Sequence, residues 1–335
     1  MSNTKYIMFF LLVCIFFNTK SVYASNLSFT VDPVIPENQI DKTKTYFDLK
    51  FVKNTQETIK VNIYNNSEKD LVIEPSVKTA TTNLNGVVEY GDSLTGPNKS
   101  IPYKTENIVH SIEKEITIPK KSFKEVQFLI KMPSKEFKGI LAGGITFQEK
   151  EKKESTKEIS GMAVENKFAY VLAVVIHGND QNISKELKLK KVSSGQVNYQ
   201  NVINLSLENP QSRYINQMSI NAKVTRKGHK KILYTSYKDK MQMAPDSNFN
   251  YPIYLDGKGL KSGEYIVKVK VKSQDKNWEF IKKFKISKNE ANTLNEKDVT
   301  IKRDESWFYY VVFIYSLFLL MLILFYRNKS DENLS

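Results

Sequence analysis

Along most of this chain, apolar and polar residues alternate with a period of two. Phe47, Leu49 and Phe51 alternate with Tyr46, Asp48 and Lys50. Ile59, Val61 and Ile63 alternate with Lys60, Asn62 and Tyr64, and the same pattern runs through Val126, Phe128, Ile130 and Met132. Farther on come Ile203, Leu205 and Leu207, then Met218, Ile220, Ala222 and Val224, then Tyr265, Val267, Val269 and Val271 against Ile266, Lys268, Lys270 and Lys272. Antiparallel strands with one face on a core and one in water have this spacing. Amphipathic helical spacing is nowhere sustained. The pattern predicts an all-β fold, two tandem immunoglobulin-like β-sandwich domains.

Turn residues separate these runs: Asn65-Asn66-Ser67, Asn85-Gly86, Gly96-Pro97-Asn98 and Asp256-Gly257. Asn85-Gly86, between Thr79–Asn83 and Val87–Tyr90, predicts a two-residue hairpin. Within Leu260–Val271, Leu260, Gly263 and Tyr265 have the cadence that precedes a late strand of an immunoglobulin-like sandwich. Tyr265 is then a tyrosine-corner candidate, with an ordinary exposed strand tyrosine as the alternative. The run MAPDSNFNYPI (243–253) is nearly free of lysine in a lysine-rich chain. Ala244-Pro245-Asp246-Ser247 fits a type I turn with proline at its second position. Phe249, Tyr251 and Ile253 then alternate into a strand, while Asp246 and Asn248 serve either local hydrogen bonds or contact with a partner.

The ends differ from the middle. Lys5, the apolar run Tyr6–Phe17 and Val22-Tyr23-Ala24 have the layout of a secretory signal, predicted over 1–24. Trp307–Tyr326 is an uncharged apolar run with aromatic residues at both ends, predicted as a single membrane-crossing helix over 307–326. The expected location is therefore the cell membrane, single-pass, with 25–306 exported and the tail 327–335 in the cytoplasm. The domains are expected at 25–180 and 181–295, with a polar stalk at 296–306. Within the first, the charge run 148–160 reads as a hairpin tip or a linker, and 166–177 as a closing strand.

The one cysteine, Cys14, lies in the predicted signal, so the exported part has no disulfide and depends on its hydrophobic core. The formal charge of +14 suits anionic partners such as teichoic acids or phospholipid, and it equally suits the coding bias of an AT-rich genome.

Little points to catalysis. There are 3 histidines, His110, His177 and His229, without metal-ligand spacing, and the sequence has no HExxH, GxSxG or GxGxxG motif. Carboxylate pairs cannot be judged from spacing among 36 Asp and Glu. The reading is a non-enzyme with no cofactor, no metal and no nucleic-acid partner.

Several runs then carry a resemblance: SFTVDPVIPENQ (28–39), TYFDLKF (45–51), TATTNLNGVVEY (79–90), KMPSKEFKGILAGGITF (131–147), MAPDSNFNYPI and ANTLN (291–295). In this order the chain resembles the WxL-interacting proteins of Gram-positive bacteria. The resemblance implies a first domain that binds peptidoglycan (family core 28–148), a second that binds host proteins, and surface complexes with WxL-domain proteins. Pro36, Glu37, Asn38 and Gln39 match the first-domain signature, and their carboxylate and amides would suit sugar hydroxyls or peptide amides. Tyr46, Tyr64, Tyr90 and Tyr103 are candidates to stack on a sugar ring. The alternatives are a carboxylate-dependent peptidoglycan hydrolase and a chaperone-like sandwich that exchanges a strand with WxL proteins.

Overall fold

The computed structural model describes residues 28–50, 52–91, 96–98, 101–150, 169–179, 182–274, 276–302 and 306–332. The predicted signal at 1–24 and most of the charged run at 148–160 lie outside the described residues. In chain order the first strands are β1 Phe29–Val34, β2 Phe47–Lys50, β3 Gln56–Asn65, β4 Leu71–Thr79, β5 Thr81–Thr82 and β6 Val88–Glu89. A 3-10 turn at Thr105–Asn107 precedes β7 Val109–Ser111, β8 Ile116–Ile118, β9 Phe123–Lys131, β10 Ile140–Glu149 and β11 Ala169–His177. Then follow β12 Lys188–Val197, β13 Gln200–Asn209, β14 Ile215–Arg226, β15 Ile232–Met243, β16 Ser247–Tyr254, β17 Gly263–Ser273 and β18 Lys276–Ile286. Two helices, Lys288–Lys297 and Ser306–Glu332, complete the order.

The chain divides into two compact units, neither continuous in sequence. The first is Met1–Lys78, Thr105–Lys135 and Gly143–Val175, and the second is Thr79–Lys104, Glu136–Ala142 and Ile176–Ser335. Residues 79–104, which precede most of the first unit's strands, thus belong to the second unit.

The first unit is built on two sheets, β1-β3-β9-β7 and β2-β11-β10-β4-β8. The two-residue period does what the pattern requires: Ile59, Val61 and Ile63 on β3 and Val126, Phe128 and Ile130 on β9 are buried. Phe128 and Phe147, one from each sheet, meet edge to face at 5.8 Å. One position departs from the alternation. Asp48, assigned by period to the solvent face of β2, is buried, because the 39–47 loop folds over it and Lys44 closes an ion pair at 2.8 Å. That bond is the main reason the Lys44 ammonium is pushed up to about 12.

In the second unit, β12-β13-β16 faces β15-β14-β17-β18. The chain changes sheet between β13 and β14, between β15 and β16, and between β16 and β17. This is the Greek-key connectivity of an immunoglobulin-like sandwich, with its fourth strand, β15, at the edge of the sheet that holds the last two. Ile203, Leu205 and Leu207 of β13 and Met218, Ile220, Ala222 and Val224 of β14 meet Phe249, Tyr251 and Ile253 of β16 and Val267, Val269 and Val271 of β17 in one core. Each Val, Leu, Ile, Met or Phe among them contributes about 1.5–3 kcal/mol when removed from water.

Two expectations need correction. The helix Lys288–Lys297 has no counterpart in the period-two reading. It is set by a capping box in which the Ser287 side chain accepts from the Glu290 N–H and the Glu290 side chain accepts from the Ser287 N–H. The membrane-crossing helix and the single-pass membrane location are overturned: among the described residues, no helix is long and apolar enough to cross a membrane. The helix Ser306–Glu332 does form.

Candidate functional site

In the first unit, the signature loop after β1 is built around Gln39. Its amide donates to the carbonyls of Tyr46 at 2.9 Å and Asp41 at 3.2 Å, and its oxygen accepts from the Asp48 N–H at 3.0 Å. Gln39 is buried, and Pro36 starts the turn by accepting from the Gln39 N–H at 3.2 Å. Asn38 donates to Glu57, and Glu37 is left exposed. The geometry therefore makes Gln39 the frame of the loop and leaves Glu37 as its outward group. The face of Tyr46 is taken by the Lys44 ammonium, 5.4 Å from the ring centroid.

A second feature of this unit was not visible as a cluster in the sequence. Tyr64 is the penultimate residue of β3 and Phe123 opens β9, and the antiparallel register sets them opposite each other. Their rings stack at 5.5 Å with 28° between planes, and Phe123 remains 60% exposed. With Asn65, Asn66, Lys121 and Ser122 they line a shallow groove of about 360 Å³. Asn65 holds the groove in shape: its amide donates to the carbonyls of Lys69, Ile118 and Pro119 at 2.8–3.0 Å. An apolar ring face beside amide, hydroxyl and ammonium groups offers both surfaces of a pyranose a partner. Of the other tyrosines singled out, Tyr90 and Tyr103 belong to the second unit, where Tyr103 packs edge-on against Phe137 at 6.0 Å.

In the second unit, 79–104 and the 243–249 corner assemble one polar cluster beneath the β5–β6 hairpin. The Ala244 N–H donates to the Thr82 hydroxyl at 3.0 Å, and the Thr82 and Ser247 hydroxyls lie 2.8 Å apart. The Ser247 hydroxyl donates to the Ala244 carbonyl. Asn209, fully buried, donates to the carbonyls of Ala244 and Arg213 at 2.8 and 2.7 Å. The corner is not the predicted type I turn, because Asp246 sits at φ 47°, in the left-handed region. Its N–H reaches the Gln211 carbonyl at 3.0 Å, its carbonyl accepts from the Asn98 N–H at 2.8 Å, and its carboxyl accepts from the Ser212 hydroxyl at 2.6 Å. Those partners compensate a conformation that aspartate tolerates better than most residues.

Two carboxyls near this corner have opposite fates. Burial raises Asp246 to about 6, and the Ser212 hydroxyl offsets only part of that. Burial also acts to raise Glu208, but hydrogen bonds from Lys190 and Asn98 outweigh it and hold that carboxyl below its ordinary value. Pro245 is buried, Asn248 lies opposite Glu208 in the β13–β16 register, and Phe249 is in the core. Gly263 opens β17 at φ 150°, a conformation that side chains rarely adopt. Tyr265 is buried, and its hydroxyl donates to the Lys261 carbonyl at 2.6 Å, the arrangement of a tyrosine corner. At the other end of β13 a polar groove of about 420 Å³ is lined by Gln200, Asn201, Tyr254, Leu255, Asp256, Gly257 and Thr300. Among the described residues, no group of three or more His, Cys, Asp or Glu is arranged to hold a metal ion.

The buried amide of Asn209 and the half-buried amide of Asn295 escaped the sequence reading. Asn209 precedes Pro210, a turn signal that could have marked it.

The fold defines a protein of tandem β-sandwich units. Residues 29–149 match the WxL Interacting Protein peptidoglycan binding domain, and 159–296 match the WxL Interacting Protein host binding domain. The chain belongs to the WxL-interacting protein family. No curated protein matches it. Among solved structures, a chain of a chaperone–tip adhesin complex of CFA/I fimbriae biogenesis is 11% identical, covers 76% of this chain and 99% of its own length, and has a TM-score of 0.30. The E. coli chaperone DraB is 12% identical, covering 77% and 98%, with a TM-score of 0.28. The YadV chaperone is 10% identical, covering 78% and 100%, with a TM-score of 0.29. Overlaps at that level carry no argument about what this chain does.

Proposed function

We propose that the protein is a non-catalytic cell-surface scaffold that binds peptidoglycan through its first unit and WxL-domain or host extracellular proteins through its second. The observation that supports this reading is the pair of binding-domain matches in that order, at 29–149 and 159–296. Within the first unit, the Tyr64–Phe123 groove is the saccharide surface, with the exposed Glu37 of the signature loop as a second contact. In the second unit, the buried carboxyl of Asp246 and its bonds to Ser212, Gln211 and Asn98 favour a structural corner over a partner contact. Asn248 is assigned to the same corner.

Co-sedimentation with insoluble peptidoglycan tests the reading. The purified protein should pellet with the polymer without releasing soluble fragments. Phe123→Ala, a change at an exposed ring, should weaken retention at least tenfold with an unchanged melting curve. Released fragments would support the carboxylate hydrolase instead. Full retention by Phe123→Ala together with loss on Glu37→Gln would move the contact to the signature loop.

A further inference from the structure

The sheet β15-β14-β17-β18 turns one face to the core and the other to solvent, and the solvent face is unusually cationic in its arrangement. The registers place Lys223 of β14 directly opposite Lys268 of β17, which faces Ile281 of β18 on its other side. The adjoining rows are Asn221, Lys270 and Glu279, then Ser219, Lys272 and Asn277. In the other direction come Thr225, Ile266 and Lys283, then Glu264 beside Lys285. Six exposed lysines thus share the face of these three strands with two carboxylates, Glu264 and Glu279. Glu279 lies 3.8 Å from Lys270, and Glu264 bonds Lys227 beyond the end of β14.

Like charges directly across a ladder destabilise a sheet, and Lys268 has no carboxylate at either of its cross-strand positions. Other sheet lysines in the molecule do face acids: Lys60 with Glu125 at 2.8 Å, Lys124 with Glu113 at 2.6 Å and Lys190 with Glu208 at 3.0 Å. A general surplus of lysine would not by itself set Lys223 against Lys268 while Lys60, Lys124 and Lys190 each meet an acid.

We propose that the outer face of β14, β17 and β18 docks a linear polyanion of the phosphodiester type. Lys268, Lys270 and Lys272 repeat along one strand at about 6.7 Å, with further lysines one strand away at about 5 Å. An open row of that kind suits an extended chain of charges better than a compact anion. The cations of the patch are all lysine, which protein–protein interfaces avoid in favour of arginine and aromatic residues. Lysine is also a point charge that a mobile phosphate can meet from any direction. This assignment stands apart from the peptidoglycan reading, which concerns the other unit.

Labelled long-chain inorganic polyphosphate is the probe, titrated by fluorescence anisotropy against the purified full chain at several salt concentrations. Lys223→Gln/Lys268→Gln/Lys272→Gln should bind at least tenfold more weakly, with a shallower dependence on salt. Its melting temperature should hold or rise, since a like-charge contact has gone. Lys42→Gln/Lys120→Gln/Lys131→Gln removes the same charge from the first unit and should stay within twofold of the parent. Should the first triple variant misfold, Lys268→Gln alone carries the test, with about threefold weakening expected. Equal weakening by both triple variants, or by neither, overturns the proposal. So does tighter binding of poly-glutamate at equal charge, which would assign the face to an acidic polypeptide.

Discussion

Asp246 is a buried acid held in a left-handed conformation, and its ionisation has a direction that can be measured. In the unfolded chain its carboxyl titrates near 3.8, and in the fold burial lifts it to about 6. The folded state therefore holds the proton more tightly than the unfolded one. The resulting stability is fully present below the unfolded value and is lost as pH rises from about 4 to about 6. A rise of that size corresponds to about 3 kcal/mol. Asp246→Asn keeps an acceptor for Ser212 and the tolerance for positive φ, and removes the titration. Urea melts across pH 4–8 should show a flatter profile for the variant, with a gain on the order of 1–3 kcal/mol above pH 7. An unchanged slope would place the titrating group elsewhere. The sequence made Phe249 legible, since alternation alone puts it in the core. It could not reveal the conformation of Asp246: Pro245 fixes only its own φ, and the next residue is decided by Gln211, Ser212 and Asn98, all distant in sequence.

At the scale of elements, the β5–β6 hairpin and the helix Lys288–Lys297 are the instructive cases. The hairpin was expected at Asn85-Gly86 as a two-residue turn, and a hairpin forms there. Its turn is centred one residue earlier, because only Gly86 has positive φ, at 68°, and Asn83 accepts from the N–H groups of Asn85 and Val87. That is a type I turn followed by a bulge glycine. A side chain on Gly86 would come within 2.3 Å of the Met241 methyl. Gly86→Ala should therefore cost about 1–3 kcal/mol, from both strain and overpacking, read as a lower urea midpoint. The helix was hidden because its mean pattern is polar, although Ser287 and Glu290 spelled its start. Asn295 joins it to the sandwich by accepting from the Leu260 N–H at 2.7 Å and donating to the Leu260 carbonyl at 2.9 Å. Asn295→Ala leaves two buried backbone groups unmet, and about 2–3 kcal/mol of destabilisation is expected in the same assay. A loss under 0.5 kcal/mol would mean that water takes over both bonds.

For the whole molecule, two sandwiches were readable because one face of each strand is buried, which writes the fold class into the period. Which residues belong to which sandwich was not readable, since alternation records burial and not the identity of the neighbour. Thr82 looks like any strand threonine until its hydroxyl is found against Ser247, 165 positions away. A fragment spanning 182–302 lacks Thr79–Lys104, and its Met241, Ala244 and Ser247 lose their cover. It should bind a hydrophobic dye and unfold without a sharp transition, whereas the full chain melts cooperatively. A sharp transition in the fragment would show that 79–104 adds nothing to the second unit.

That discontinuity also sets a clock. The ribosome delivers the chain from its N-terminus at about 5–20 residues per second. The hairpin carrying Thr82 is thus made roughly ten to thirty seconds before the corner carrying Ser247. Throughout that interval the hairpin has no surface to settle on, and the second unit can close only when nearly its whole sequence has emerged. Closure is a late, single event rather than a steady accumulation, and a nascent chain stalled before residue 240 should leave the hairpin open to protease.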